Sequence, residues 1–266
     1  MDQRNLILAI VLSVTILLTF QFFFAPPPPD PNSLPATASG ESTSAGAGDS
    51  DIPQLPGDAS GAANGESLSR ADALEASPRL LIESPSLEGS IALQGGRIDD
   101  LILKRYRETI DPDSPMITLL SPPGAPAPYF ADFGWTTTDR SIKLPNSDSL
   151  WAADAESISP GNPVTMSWDN GEGLVFERVM EIDEEYLFTV TQRVVNNSGQ
   201  PVTLSPYGLI ARNGTPETLG FYILHEGLLG VFDGALKEVN YDDLQEGGEE
   251  KFETTGGWLG ITDKYW

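Results

Sequence analysis

Apolar residues are distributed along this chain in two different ways. Between positions 6 and 24 they form one block, Leu-Ile-Leu-Ala-Ile-Val-Leu-Ser-Val-Thr-Ile-Leu-Leu-Thr-Phe-Gln-Phe-Phe-Phe, without a charged position. Nineteen residues rising about 1.5 Å each make a helix of about 28 Å, near the hydrocarbon thickness of a bilayer. Fourteen of the nineteen are Leu, Ile, Val or Phe. At roughly 0.3–0.6 kcal/mol apiece, their insertion outweighs the cost of Ser13, Thr15, Thr19 and Gln21. The block predicts a membrane-spanning helix over 6–24. A cleaved secretory signal is the rival, but it needs a shorter core and small residues in an A-x-A-like arrangement. Here Ala25 lies between Phe23 and Pro26, and Ala36-Thr37-Ala38 comes only after a proline run. Arg4 precedes the block and the first charge after it is Asp30, so the positive-inside rule puts the N-terminus in the cytoplasm and the rest outside.

From Arg79 the pattern changes to short runs that alternate or are rich in β-branched and aromatic residues, each bounded by turn residues. Residues 79–83, 87–93 and 97–103 read as strands, the last two joined at Gly95-Gly96. Residues 164–168 run into Asp169-Asn170-Gly171, where Asn-Gly supplies positive φ at little cost and predicts a hairpin turn. Residues 174–182 return from it. Asp183-Glu184-Glu185 turns into 186–195, in which Leu187, Phe188, Val190 and Val194 suggest one buried face. Residues 196–199 turn into a strand at 202–210. Residues 224–232 offer an apolar hairpin that presents an edge to a partner, or an internal strand pair; the second is preferred. No segment of useful length after position 24 carries a 3.6-residue period. Short strands with turns about every 8–12 residues predict a mainly β, antiparallel sandwich.

Residues 25–77 separate the two regimes. They hold four consecutive prolines from position 26, then Ser, Thr, Ala and Gly, and no aromatic residue. Such a stretch buries too little apolar surface to offset its ordering entropy, and predicts a disordered linker with an r.m.s. span of about 40 Å. The expected organisation is a cytoplasmic N-terminus at 1–5, a transmembrane anchor at 6–24, a linker at 25–77 and one β domain at 78–266.

The chain carries 39 acidic and 15 basic residues, a formal charge of −24. Thirty of the acids and thirteen of the bases lie in 78–266. No basic stripe is present to neutralise phosphates, so nucleic acid is not an expected partner. The same charge repels anionic headgroups and confines contact with the lipid bilayer to residues 6–24. Cysteine is absent, which removes disulfides, thiolate nucleophiles and Cys-based metal sites. A domain of about 190 residues builds a core without them.

Three passages resemble the YidC family of bacterial membrane-protein insertases. Met1-Asp2-Gln3-Arg4-Asn5-Leu6 with the apolar block is similar to that family's N-terminal start and first transmembrane segment. Ile91-Ala92-Leu93-Gln94-Gly95-Gly96-Arg97-Ile98-Asp99-Asp100-Leu101-Ile102-Leu103-Lys104-Arg105-Tyr106 resembles the beginning of its large periplasmic domain. Gly256-Gly257-Trp258-Leu259-Gly260-Ile261-Thr262-Asp263-Lys264-Tyr265-Trp266 resembles a Gly-Gly-Trp segment late in the same domain. The resemblance implies a periplasmic antiparallel β-supersandwich, akin to galactose-mutarotase domains, behind one N-terminal transmembrane helix at the inner membrane. It also implies assistance to the insertion and folding of inner-membrane proteins, with nascent inner-membrane proteins and Sec translocon components as partners. The family's five-helix core, with its hydrophilic groove and intramembrane arginine, has no counterpart here, because residues 1–266 contain no second apolar span. No residue inherits that role, and this part alone is expected not to be insertion-competent. The strand-like end at Tyr265-Trp266, without a polar tail, reads as a fragment of a longer frame, with a naturally short periplasmic module as the alternative.

No residue is assigned a catalytic, cofactor-binding or metal-binding role, and neither enzyme activity nor a cofactor is expected. His225 is the only histidine. A mutarotase-like sugar epimerase would need paired histidines with a carboxylate, and no G-x-S-x-G elbow supports serine–histidine chemistry. His225 therefore reads as a loop or surface residue. Asp183-Glu184-Glu185, Asp242-Asp243 and Glu249-Glu250 lack the spacing of a calcium loop and read as solvated turns. Trp135, Trp151, Trp168, Trp258 and Trp266 suit either a sugar or peptide cleft or core packing; core is preferred for Trp168 and Trp258. Asn196-Asn197-Ser198 and Asn213-Gly214-Thr215 match glycosylation sequons, which turn composition produces by itself. The alternatives to the insertase reading are a membrane-tethered carbohydrate- or peptide-binding sandwich and, less favoured, the epimerase.

Overall fold

The computed structural model describes residues 68–216 and 225–263, so the expected span at 6–24, the expected linker before Leu68, and Trp266 lie outside the described residues. In chain order the elements are α1 (Arg70–Glu75), β1 (Arg79–Glu83), β2 (Leu87–Ala92), β3 (Ile98–Arg107), β4 (Met116–Leu120), β5 (Tyr129–Thr136), β6 (Ala152–Ala153) and β7 (Ser157–Ile158). There follow β8 (Val164–Asp169), β9 (Leu174–Ile182), β10 (Phe188–Asn196), β11 (Ser205–Arg212), β12 (Gly227–Phe232), β13 (Ala235–Asn240), α2 (Tyr241–Gly247) and β14 (Gly257–Thr262). Among the described residues these strands form three sheets. The first runs β11-β5-β3-β2-β1-β7 with β4 also on β3, the second β10-β9-β8-β6, and the third β13-β12-β14. Every pairing is antiparallel except the short β1–β7 contact. The domain is mainly β, as its alternating pattern predicts.

The first two sheets share one core. Along β9 the alternate residues Leu174, Phe176, Arg178, Met180 and Ile182 are all buried, because successive strand residues point to opposite faces. Val164 and Met166 of β8 join them, and Leu80, Ile82, Ile91 and Ile158 close the core from the first sheet. Each such apolar side chain contributes about 1.5–3 kcal/mol by leaving water. Trp135 meets Phe176 edge-on at 5.0 Å, which ties the sheets together through aromatic packing.

Several elements differ from the pattern's predictions for local physical reasons. The turn after β8 is a hairpin, but Asn170 and Leu174 close a three-residue loop. Asn170 Oδ1 accepts from the amides of Glu172 (2.8 Å) and Leu174 (3.0 Å), so the side chain builds the loop, with Gly171 at φ +75°. Of the face expected in β10, Phe188, Val190 and Val194 pack on the core, whereas Leu187 precedes the strand and is exposed. The strand expected at 202–210 begins at Ser205; Val202 and Leu204 still pack inward from the loop. Its Pro206 is tolerated because β11 lies at a sheet edge. Residues 227–232 form one strand, hydrogen-bonded to β13 on one side and β14 on the other, and not a hairpin. Within the expected linker, Ser69 caps α1 by accepting from the Asp72 amide, and Arg70 pairs with Asp100 of β3.

Candidate functional site

The most unusual chemistry in the sandwich is a charged seam inside it. Arg178 occupies a core position of β9 between Phe176 and Met180. Its guanidinium crosses to the first sheet, where Nη1 donates to the Gly96 carbonyl at 2.6 Å and Nη2 donates to the Phe133 carbonyl. The Trp151 ring centre lies 4.4 Å from the guanidinium carbon and that of Trp135 5.9 Å away. Asp132 faces both Arg178, at 3.5 Å, and Arg97, at 3.4 Å. Gly96 makes this approach possible. It sits at φ +73°, and a Cβ there would lie 2.4 Å from Arg178 Nη1 and 3.0 Å from Trp151 Nε1.

The seam continues along the first sheet. Arg79 pairs with Asp99 and donates from Nε to Ser90 Oγ at 2.6 Å, while Ser90 Oγ donates to Asp100 at 2.7 Å. Burial raises the Asp99 carboxyl above its ordinary value, against the opposing pull of Arg79. Burial also lowers Arg178 to about 10, opposed by Asp132, so Arg178 keeps its proton at neutral pH. The Ser90 hydroxyl is engaged by Arg79 and Asp100 and has the partners of a structural group. The arrangement fastens two sheets and aligns the Gly95-Gly96 turn. An arginine on the inward face of an otherwise apolar alternation is the sequence signal for it.

The residues weighed for chemistry are scattered. His225 lies in the loop before β12, its Nε2 2.9 Å from the Leu228 carbonyl. Asp183 Oδ1 accepts from the amides of Glu185 and Leu187 and shapes the β9–β10 turn. Asp242 and Asp243 are in the first turn of α2, not in a loop, and Glu249-Glu250 follow that helix. Among the described residues, no cluster of three or more His, Asp or Glu is placed to hold a metal. Asn196 Oδ1 accepts from the Ser198 amide at 3.0 Å, the local turn that its sequon composition suggests.

Trp135 and Trp151 are core residues and stack at 6.4 Å. Trp168 is half-buried against Phe176, with Lys143 over its ring. Trp258, expected in the core, is 55 % exposed. The reason is its sheet: the register places Leu229, Val231, Leu236 and Trp258 on one face of β13-β12-β14, and Leu228, Phe232, Val239, Leu259 and Ile261 on the other. Each face also carries a charged residue, Glu238 on the first and Lys237 on the second, and neither face is fully covered by the described residues. Arg212 ties this sheet to the first one, donating to both Asp263 oxygens at 3.0 and 2.8 Å and lying over the Tyr129 ring.

The chain matches the YidC periplasmic domain family over residues 79–266. It is 50% identical over 218 residues to a membrane protein insertase YidC of Beijerinckia indica, covering 80% of this chain and 36% of that protein. The corresponding protein of Methylobacterium nodulans is 47% identical, covering all of this chain and 46% of its own length. That of Granulibacter bethesdensis is 42% identical with the same coverage. The chain therefore spans less than half the length of these curated relatives. The match runs across the Gly95-Gly96 turn, the charged seam and the Gly-Gly-Trp strand β14, and the chain belongs to the YidC periplasmic domain family.

Proposed function

We propose that this chain is the anchor and periplasmic β domain of a membrane-protein insertase, and that the intact protein assists the insertion and folding of inner-membrane proteins. The observation that carries this reading is the identity of about half over most of the chain to proteins named membrane protein insertases. Residues 6–24 span the inner membrane with the N-terminus in the cytoplasm, the stretch up to about residue 67 gives reach, and the acidic domain stands in the periplasm. Nascent inner-membrane proteins are the substrates and Sec translocon components the neighbours. The exposed Trp258 and Leu236, which flank Val231 on one face of the third sheet, support a protein-contact role for that face. On this reading the buried ion pairs serve the fold, and His225, whose Nε2 lies against a backbone carbonyl, is given no chemical role.

The test is a graft. Residues 1–266 replace the matching region of the Methylobacterium nodulans protein in cells depleted of their own insertase. Growth is expected with the graft and not with residues 1–266 alone. Failure of a graft that is made and membrane-integrated contradicts the assignment, and rescue by 1–266 alone contradicts the expectation that this part is not insertion-competent.

A further inference from the structure

At one end of the sandwich, three loops line an open cleft of about 430 Å³ that the insertase reading does not use. Its apolar lining comes from Ile142, Leu174 and Val202, and its polar lining includes Asp139, Glu172 and Gln200. The walls are pre-set. Asn170, itself buried, donates to the Lys143 carbonyl and accepts from the amides of Glu172 and Leu174. The Asn197 amide donates to the Gly173 carbonyl at 2.7 Å, which holds the two hairpin loops together. Asp139 accepts from the Ser141 amide and hydroxyl through Oδ1, which leaves Oδ2 available. The Glu172 carboxylate and the Gln200 side-chain amide take no hydrogen bond from the described residues. No Lys, Arg or His lines the cleft.

We propose that this cleft receives an arginine side chain from an extended segment of a partner polypeptide. Two carboxylates and an amide oxygen without a lining cation call for a cationic head with several donors, and the planar guanidinium supplies five in a fork that matches a carboxylate. The apolar lining suits the methylene stem, which packs on apolar surface while its head stays with the polar groups. The volume falls within the range of ligand pockets, roughly 300–1,000 Å³, and admits a long side chain with its flanking backbone. Hydrogen bonds from Ser141 hold the Asp139 carboxyl below its ordinary value, so it stays charged. The excess of acids over bases in the domain draws a basic partner toward it.

The experiment uses the full chain in detergent micelles and a capped pentapeptide, Gly-Leu-Arg-Leu-Gly, followed by calorimetry and by amide shifts. Saturable binding is expected, with shifts centred on residues 139–142, 170–174 and 198–202, and weakening in about 0.5 M salt. A citrulline counterpart, neutral and of the same shape, is expected to bind roughly tenfold more weakly. Glu172→Gln, at an exposed position, is expected to lower affinity roughly fivefold with the thermal unfolding midpoint unchanged. Asp139→Asn serves as the second variant. Equal binding of the citrulline peptide, shifts mapped elsewhere, no effect of either variant, or binding of galactose in place of the peptide would each overturn the proposal.

Discussion

Arg178 brings a positive charge to the middle of a hydrophobic strand face, and the fold holds it there with carbonyl oxygens, two indole rings and one shared carboxylate. Removing the guanidinium leaves those carbonyls without their donor, and Asp132 with Arg97 as its remaining ion-pair partner, in a buried interior. Arg178→Ala is expected to cost about 3–5 kcal/mol of unfolding free energy, measured by urea denaturation. Arg178→Lys should recover only part of it, because an ammonium cannot span the Gly96 and Phe133 carbonyls as a fork does. Gly96→Ala attacks the same contact from the other side. Its φ of +73° and the 2.4 Å approach to Arg178 Nη1 predict a loss of about 2–4 kcal/mol. The periodicity of β9 makes its buried face legible, but one-dimensional alternation does not reveal that an inward arginine has found two facing carbonyls. That information lies in the register of the opposite sheet.

At the scale of elements, strands with clean alternation or a strong turn are legible, and those whose apolar run is interrupted for a tertiary reason are not. β1, β8 and β9 follow their patterns closely. β5 hides because Asp132 and Gly134 interrupt its apolar run, and both have structural reasons: Asp132 serves the seam, and a Cβ at Gly134 would lie 2.5 Å from the Tyr207 ring. α1 hides because it has six residues and depends on the Ser69 cap and the Arg70–Asp100 pair. The β12–β13 turn gives a pH prediction. Asp233 lies at φ +49° and accepts from the Thr254 hydroxyl and from the Thr255 amide and hydroxyl, which hold its carboxyl below the ordinary 3.8. A lowered folded-state value means stability that is present above the ordinary value and is lost as pH falls through the folded one. Protection factors in β12 and β13, corrected for the slower intrinsic exchange in acid, should therefore fall on acidification below about pH 4, and Asp233→Asn should remove most of that dependence. Likewise, Arg212→Ala should loosen the third sheet by about 1–3 kcal/mol, seen as faster exchange in β12 with little change in β9.

For the whole molecule, the proposed topology has one lipid-spanning segment holding an acidic β domain outside the cytoplasm. It rests on a hydropathy block, a charge asymmetry around that block and membership of a periplasmic domain family. On that topology the Pro-, Ser- and Gly-rich sequence before the domain is the expected site of cleavage, and the folded sandwich the expected resistant part. The most direct measurement is protease treatment of intact spheroplasts that contain the full chain, with antibodies against each end. Cleavage is expected between the anchor and the domain, releasing a folded, protease-resistant C-terminal portion while a short N-terminal stub stays with the membrane. A chain that stays intact until the spheroplasts are lysed would contradict this topology.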